Sequence, residues 1–274
     1  MALLLLVSGC SLRDSPAPIP YPTNPETPVL WVEIKGGGQI LPAAFTAANL
    51  PTFVLYGDGT WFSGVESVDP YVVDLGAQVK VRKITKPGIE AILAQAGQAG
   101  LLGPAKDYGT PLTTEAPPIT TLRFNAAGEK VAHSVAAIFL TAPFSQFEQE
   151  PSWPTVERRL AAQAFYDRLF DLEGWLPAGS IGEETPATFE QFMVFYSPSS
   201  GDSGAIEWPE ATLPPLSNPV GSEPGCAPIN QEQLDLLIDL RGRNQTLALN
   251  LAATGGVQYY ISVRPVLPGE KPCP

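Results

Sequence analysis

The sequence predicts an α+β fold in which antiparallel sheets are each covered by an amphipathic helix. Short runs of alternating apolar residues come in pairs around glycine-containing turns, which indicates β-hairpins. Helical stretches follow groups of strands instead of alternating with single strands, which favours antiparallel sheets. With 44% hydrophobic and 16% charged residues, the chain of 274 residues has enough apolar side chains to form a packed core.

The first predicted unit covers residues 29–180 and contains two hairpins, two further strands and two helices. Gly57-Asp58-Gly59 lies between two β-rich runs, as is typical of a hairpin turn. One helix begins after Thr85 with Pro87 in its first turn, and another extends from about Thr155 to Leu172 with one apolar face. The predicted strands are Val29–Ile34, Thr52–Tyr56, Thr60–Ser63, Val79–Ile84, Ile119–Asn125 and Lys130–Ile138.

The second predicted unit covers residues 181–274 and contains the most strongly marked helix start in the chain. Asn230 is a good N-cap residue, Gln233 follows at the spacing of a capping box, and Gly242 ends the helix. The predicted strands are Gln191–Tyr196, Ala205–Trp208, Thr246–Ala252 and Val257–Val263. Because strands, a capped helix and a hairpin follow one another in both parts, we expect two related sheet-plus-helix units.

The N-terminal stretch MALLLLVSGCSLRDS has a short apolar core followed by small residues and a cysteine. A membrane span needs ~20 apolar residues, so this run is too short to remain as one and is typical of a secretory signal. Val7-Ser8-Gly9-Cys10 resembles the lipobox of bacterial lipoproteins. The resemblance implies that residues 1–9 are a signal peptide and that Cys10 carries diacylglycerol and an acylated amino group. We therefore expect the protein to be labelled by palmitate. No basic residue precedes the apolar core, so we expect the true start to lie upstream.

Residues 10–28 are predicted to form the lipid anchor and a proline-rich spacer. Ser15–Pro28 contains six prolines in fourteen residues, a composition that favours polyproline II at ~3.1 Å per residue and hence a spacer of roughly 40 Å. The order of anchor, spacer and globular body predicts an extracytoplasmic protein that is lipid-anchored to the bacterial cell membrane.

Cys226 and Cys273 form an even pair once Cys10 is assigned to lipid, and we expect them to form a disulfide. The alternative of a two-cysteine metal site lacks further ligands, because His133 is the only histidine. We expect no metal and no cofactor.

The formal net charge of −12 bears on the partners that this chain can bind. An acidic chain with one short basic run is repelled by phosphate backbones, so we expect no nucleic-acid partner. We interpret that run, Lys80-Val81-Arg82-Lys83, as the solvent-facing side of a strand. The expected partners are the membrane, through the N-terminal lipid, and an envelope protein, peptide or glycan.

Several stretches of the body resemble a group of uncharacterised secreted bacterial lipoproteins that is commonest in actinobacteria. These stretches are VLYGDGTWF, RKITKPGIEAILAQAGQAGLL, DYGTP, TTLRFNAAGEKVAHSV and VRPVLPGEKPC. The resemblance covers most of residues 50–274 and implies a continuous fold and the terminal disulfide. It implies no activity and no catalytic residue.

The strongest enzyme-like motif is Gly201-Asp202-Ser203-Gly204-Ala205, which resembles the segment around the nucleophile of chymotrypsin-like proteases. In that hypothesis Ser203 is the nucleophile, His133 its base, and Asp167 or Asp171 orients the histidine. In those proteases the motif continues with Gly-Pro, whereas here it continues with Ala-Ile. The spacing from His133 to Ser203 is also too short for the interleaved barrels of such proteases, and a long predicted helix lies between the two residues. We therefore interpret the motif as a polar turn. The alternative function is a secreted hydrolase that uses either this serine or a pair of carboxylates. The candidate carboxylate pairs are Glu183-Glu184 and Glu148/Glu150.

Four tryptophans are candidate ligand-contact residues, because aromatic side chains on loops stack on sugars or anchor protein partners. They are Trp61, Trp153, Trp175 and Trp208. Core packing is the alternative interpretation for each. The sequence therefore predicts a non-enzymatic binding or envelope-structural lipoprotein.

Overall fold

The computed structural model describes residues 17–36, 43–63, 79–108, 117–138, 153–199, 206–216, 223–243, 251–254 and 257–273. Within these ranges, two sheets and four α-helices form an α+β fold, which confirms the predicted class. The helices are α1 (Ala43–Ala47), α2 (Lys86–Gln98), α3 (Trp153–Arg168) and α4 (Gln231–Arg243). The strands are β1 (Pro28–Lys35), β2 (Phe53–Tyr56), β3 (Thr60–Ser63), β4 (Lys80–Lys83), β5 (Ile119–Ala126), β6 (Glu129–Ala136), β7 (Thr185–Pro186), β8 (Gln191–Pro198), β9 (Ile206–Glu207), β10 (Gly225–Asn230), β11 (Leu251–Thr254) and β12 (Val257–Pro265).

The first sheet has seven strands in the order β6-β5-β1-β2-β3-β4-β7, and all of its pairs are antiparallel. The hairpins β2–β3 and β5–β6 lie where the sequence predicts them. β1 is an interior strand between β5 and β2, and its Trp31 pairs with Val54 on one side and Arg123 on the other. Because side chains alternate along a strand, Trp31 and Glu33 lie on the opposite face from Leu30 and Val32.

Helices α2 and α3 cover the face of the first sheet that carries Leu30 and Val32. The buried cluster there combines Ile89, Ile92 and Leu93 of α2 with Phe165 of α3 and Leu169 just after it, and with apolar residues of five strands. These positions repeat at three- and four-residue intervals, so each helix presents one apolar side to the sheet. This is the predicted arrangement of a sheet covered by amphipathic helices.

The second sheet has five strands in the order β10-β8-β12-β11-β9, antiparallel except for the parallel pair β9–β11. Helix α4 covers one face through Leu234 and Leu237. The other face packs against α1, which comes from the first predicted unit, and against the C-terminal segment. The second sheet is therefore enclosed on both faces, partly by residues distant in sequence.

Helix α4 begins as predicted, with a reciprocal capping box. The backbone N–H of Gln233 donates to Asn230 Oδ1 at 2.9 Å, and the backbone N–H of Asn230 donates to Gln233 Oε1 at 3.0 Å. Thr85 occupies the N-cap position of α2, but its side chain makes no capping hydrogen bond. Its backbone N–H instead donates to the carbonyl of Ser180 at 2.8 Å, which ties the start of α2 to the loop after α3.

Cys226 and Cys273 form the predicted disulfide, with their Cα atoms 5.3 Å apart. Cys226 lies in β10, a strand that the sequence pattern does not predict, because Pro228 interrupts its apolar alternation. Both cysteines pack beside Met193 and Phe195 of β8. The bridge therefore fastens the C-terminal segment to the edge strand of the second sheet.

The proline-rich segment has no helix or strand over residues 17–27, as its composition predicts, but it lies against the body. Ile19 and Tyr21 pack against the first core, and the carbonyl of Pro20 accepts a hydrogen bond from the backbone N–H of Ala127 at 2.7 Å. Pro22 approaches Gly57 so closely that a Cβ atom at Gly57 would lie 2.0 Å from the carbonyl oxygen of Pro22. Because Ile19 and Tyr21 are partly buried against the core, this part of the segment is docked on the body instead of extending freely as a spacer.

The two predicted units pack against each other. The Tyr56 hydroxyl donates to the carbonyl of Pro268 at 3.0 Å, and Leu267 packs against the β2–β3 part of the first sheet. β7 belongs to the first sheet, so the chain passes to the second sheet after Pro186, whereas the predicted boundary lies at residue 180. The predicted strand residues 246–250 lie outside the described ranges. No helix in the described part of the chain is long and apolar enough to cross a membrane.

Candidate functional site

The structure assigns packing roles to two of the four candidate tryptophans. Trp61 and Trp208 are only 2% and 3% exposed, and each belongs to a buried cluster. Trp175 is half-buried, and its Nε1 donates to the carbonyl of Arg168 at 2.9 Å. Trp153 is the first residue of α3, and its side chain lies outside what the structure describes.

A cavity of about 300 Å³, which we call the Trp61 cavity, lies between the first sheet and the end of α3. Its charged groups are already paired. Lys80 Nζ lies 2.7 Å from Glu184 Oε1, and Arg82 contacts both Glu184 and Glu173. The lining residues are Thr52, Phe53, Trp61, Ser63, Lys80, Arg82, Leu169, Phe170, Leu172 and Glu184. Because these ion pairs satisfy one another, the cavity offers no uncompensated charge to a ligand.

A larger cavity of about 400 Å³, which we call the Trp31 groove, opens on the opposite face of the same sheet. It lies over the β1–β5–β6 part of that face, where neither α2 nor α3 packs. Most of its surface is apolar. The lining residues are Thr27, Pro28, Trp31, Arg123, Phe124, Asn125, Lys130, Val131 and Ala132.

A polar network around Glu33 borders the Trp31 groove. Glu33 is 9% exposed, accepts a hydrogen bond from Trp31 Nε1 at 3.2 Å, and pairs with Arg123 Nη2 and with Lys35 at 3.3 Å. Burial alone would raise the pKa of the Glu33 carboxyl, but the charges of Arg123 and Lys35 and the two hydrogen bonds outweigh it, so this pKa lies below its ordinary value. Glu33 therefore stays ionised and fixes the indole and guanidinium groups in place.

The groove carries an excess of positive charge. Lys130 makes no ion pair or side-chain hydrogen bond within the described part of the chain, and Arg123 uses only Nη2. The strand register thus places three cations, Lys35, Arg123 and Lys130, and one carboxylate, Glu33, on this face of β1, β5 and β6. On a chain of net charge −12, such a region is a local attractor for anions.

His133 is a core residue on the helix-covered face of β6. Its side chain is fully buried, its Nε2 lies 2.9 Å from the carbonyl oxygen of Leu101, and its ring lies 6.1 Å from that of Tyr108. Neither Asp167 nor Asp171 contacts it, and Asp171 instead accepts a hydrogen bond from the N–H of Gly174. Residues 200–205, which include Ser203, lie outside the described ranges. Full burial and a hydrogen bond to a backbone carbonyl are typical of a structural histidine.

We expect His133 to make the protein less stable as pH falls below about 6.5, the ordinary pKa of histidine. Burial lowers its pKa in the folded protein, and Nδ1 has no partner among the described residues, so protonation is unfavourable there. The unfolded chain takes up the proton first, and the free energy of unfolding therefore falls toward lower pH, by at most about 1.4 kcal/mol per pH unit. Denaturant unfolding between pH 7.5 and 5 measures this slope.

The window above pH 5 isolates His133, because it is the only histidine and carboxyl groups titrate mainly below that pH. His133→Gln keeps a donor for the Leu101 carbonyl and removes the titrating group, so its unfolding free energy should be nearly constant over this window. An equal slope in both proteins would contradict the assignment.

The carboxylate pairs do not form an acid/base site in the described residues. Hydrogen bonds from Lys80 and Arg82 hold the pKa of Glu184 below its ordinary value, which is unsuitable for a general acid. Glu183 is an exposed loop residue without such partners among the described residues, and Glu148 and Glu150 lie outside the described ranges. Within these ranges no three His, Cys, Asp or Glu side chains are placed to hold a metal ion.

Comparison of the chain with protein-family models, with curated proteins and with solved structures finds no match. The resemblance to lipobox proteins and to secreted lipoproteins therefore stays a prediction.

The Trp31 groove is the site that sequence reasoning missed. Trp31 is part of an apolar strand pattern, which is normally a sign of core packing. A signal is present in the alternation Trp31-Val32-Glu33-Ile34-Lys35, because the odd-numbered residues share one face and mix an aromatic ring with both charges. Arg123 and Lys130 join that face only through strand pairing, which the linear sequence does not show.

Proposed function

We propose that this protein is an extracytoplasmic lipoprotein, held on the bacterial cell membrane by lipid on Cys10, whose body binds an envelope protein, peptide or glycan without catalysing a reaction. The N-terminal stretch that ends in Val7-Ser8-Gly9-Cys10 carries the proposal. The disulfide between Cys226 and Cys273 supports an oxidising compartment, because structural disulfides are rare in the cytosol.

The docked proline-rich segment supports a body held close to the membrane. Since Ile19 already packs against the core, at most the chain from Cys10 to Ile19 separates the lipid from the body. A fully extended chain of that length reaches about 30 Å. The end of the sheet with the β5–β6 turn, where Pro20 docks on Ala127, is then the part of the body nearest to the bilayer.

A binding role draws support from the open Trp31 groove, with its apolar surface and with Lys130, a cation that has no partner among the described residues. The alternative, a secreted hydrolase, draws no such support. Its proposed base, His133, is fully buried with its Nε2 against the Leu101 carbonyl, and Glu184 is engaged by two basic side chains.

We expect Cys10→Ala to move the protein from the membrane fraction to the soluble fraction and to abolish its labelling by palmitate. Two or more acyl chains anchor a protein stably, and no helix among the described residues replaces that anchor. The measurement is fractionation of cells that express the wild-type or variant chain, followed by immunoblotting.

The matched control is Ser11→Ala, which changes the next residue and leaves the thiol in place, and it should remain membrane-bound and labelled. Retention of the Cys10→Ala protein in the membrane fraction after a carbonate wash would refute the lipid anchor.

A further inference from the structure

We propose that the Trp31 groove binds the C-terminal end of a peptide whose last residue is apolar, with Lys130 and Arg123 receiving the terminal carboxylate. This inference rests on the proposed binding role and names the partner's chemistry. It starts from the contrast between the Trp31 groove and the Trp61 cavity on the other face of the first sheet. The cations of the Trp61 cavity are neutralised by Glu184 and Glu173, whereas Lys130 in the groove has no partner in the described residues.

The positive end of the groove fits a carboxylate. Arg123 is held by Glu33 through Nη2 alone, so Nε and Nη1 have no partner among the described residues and remain available as donors. Glu33 also accepts from Trp31, which fixes the guanidinium beside the indole. A guanidinium fixed in advance loses little freedom when it binds a carboxylate, and hydrogen bonds between charged partners are the strong ones.

The remainder of the groove fits an apolar side chain and one peptide group. Pro28, Trp31 and Ala132 supply apolar surface beside the cations. The Asn125 amide has no side-chain hydrogen bond within the described residues, and it can both donate to and accept from a peptide group. A volume of about 400 Å³ lies within the ~300–1,000 Å³ of ordinary ligand sites.

A glycan fits this surface less well. A sugar ring presents many hydroxyl groups that need polar partners, and the groove is mostly apolar, with Asn125 and Thr27 as its neutral polar side chains. A nucleic acid would meet the acidic remainder of a chain with net charge −12. A peptide end with an apolar last residue uses all three features of the groove: the cations, the apolar surface and the Asn125 amide.

The test is a titration of the complete chain carrying Cys10→Ala, so that neither acyl chains nor detergent compete for the groove. The probes are acetyl-Ala-Ala-Phe with a free carboxylate, the same peptide as its C-terminal amide, and 3-phenylpropionate. Calorimetry gives the affinity. The indole N–H resonance of Trp31, assigned through Trp31→Phe, reports the location.

We expect the carboxylate peptide to bind with one-to-one saturation, to shift the Trp31 signal, and to bind at least about tenfold more tightly than its amide, because a charge-assisted hydrogen bond is lost. It should also bind more tightly than 3-phenylpropionate, which lacks the peptide groups. Arg123→Gln should weaken binding about tenfold, and Lys130→Gln up to about fivefold. Lys86→Gln is the matched control, because it removes the same charge from an exposed position on α2 and should leave the affinity unchanged.

Equal binding of the carboxylate and amide peptides, no saturable binding, or an unmoved Trp31 signal would overturn the proposal. If 3-phenylpropionate binds as tightly as the carboxylate peptide, the ligand of the groove is a small organic carboxylate and the peptide proposal is wrong. Because these titrations use unlipidated protein, their failure leaves the anchoring result of Cys10→Ala unaffected, and the two proposals fail separately.

Discussion

Replacing both Cys226 and Cys273 with serine should lower the free energy of unfolding by about 4 kcal/mol. The bridge joins residues separated by 47 positions, and a cross-link over a loop of this length restricts the unfolded chain strongly. It also holds the C-terminal segment, whose Leu267 and Pro268 contact the first sheet. Loss of the bridge therefore weakens the contact between the two sheets as well as the edge of the second.

Denaturant unfolding of the wild-type and double-serine proteins, each with and without dithiothreitol, measures this effect. Reduction should destabilise the wild-type protein by about as much as the double substitution does, and it should leave the double-serine protein unchanged. Cys10→Ser is the matched control, because it lies outside the closed loop. A loss below about 1 kcal/mol would show that the bridge does not hold the fold together.

Arg159→Met should lower the free energy of unfolding by about 3 kcal/mol, the second largest effect that we expect. Arg159 is 3% exposed, and its Nη2 donates to the carbonyls of Ala136 at 2.7 Å and Ala137 at 2.9 Å. Methionine keeps most of the apolar stem but leaves two buried carbonyls without this donor, and each such loss costs about 1–3 kcal/mol. Ala137 has φ of 48°, an unfavourable left-handed conformation that the arginine helps to hold.

Arg158→Met is the matched control, since it makes the same change one residue earlier on α3, at an exposed position. Its unfolding free energy should change by no more than about 0.5 kcal/mol. Hydrogen exchange of the amides at the end of β6 should accelerate in the Arg159 variant and not in the control. Similar stability of the two variants would mean that the Ala136 and Ala137 carbonyls find water as a substitute.

The features that sequence predicted well are those with local causes. The capping box at Asn230 and Gln233 depends on residues three positions apart, and the β2–β3 hairpin on the turn around Asp58. The disulfide was predictable for a different reason, because the assignment of Cys10 to lipid leaves two cysteines. In each case the evidence lies within a few residues or in a simple count.

The features that sequence missed depend on contacts between distant segments. α1 follows no strong periodic pattern, and its position against β8 is set by tertiary packing at Ala44. The docking of Ile19 and Tyr21 overrides the extended preference of the surrounding prolines. Arg159 looks like an ordinary surface residue of an amphipathic helix, and only the fold places it beneath β6.

The candidate site shows the same limit. Trp61 and Trp208 were reasonable ligand contacts by residue type, yet the fold buries them. The groove instead combines Trp31 of β1, Arg123 of β5 and Lys130 of β6, which strand pairing brings onto one face. A basic site on an acidic chain is difficult to see in sequence when its cations are separated by many residues.

The most direct test of the anchored-lipoprotein account is the mass of the N-terminal peptide of the protein extracted from membranes. The account predicts a chain that begins at Cys10, with diacylglycerol on the thiol and an acyl group on the new amino terminus. A peptide that contains Val7-Ser8-Gly9 followed by an unmodified Cys10 would contradict it.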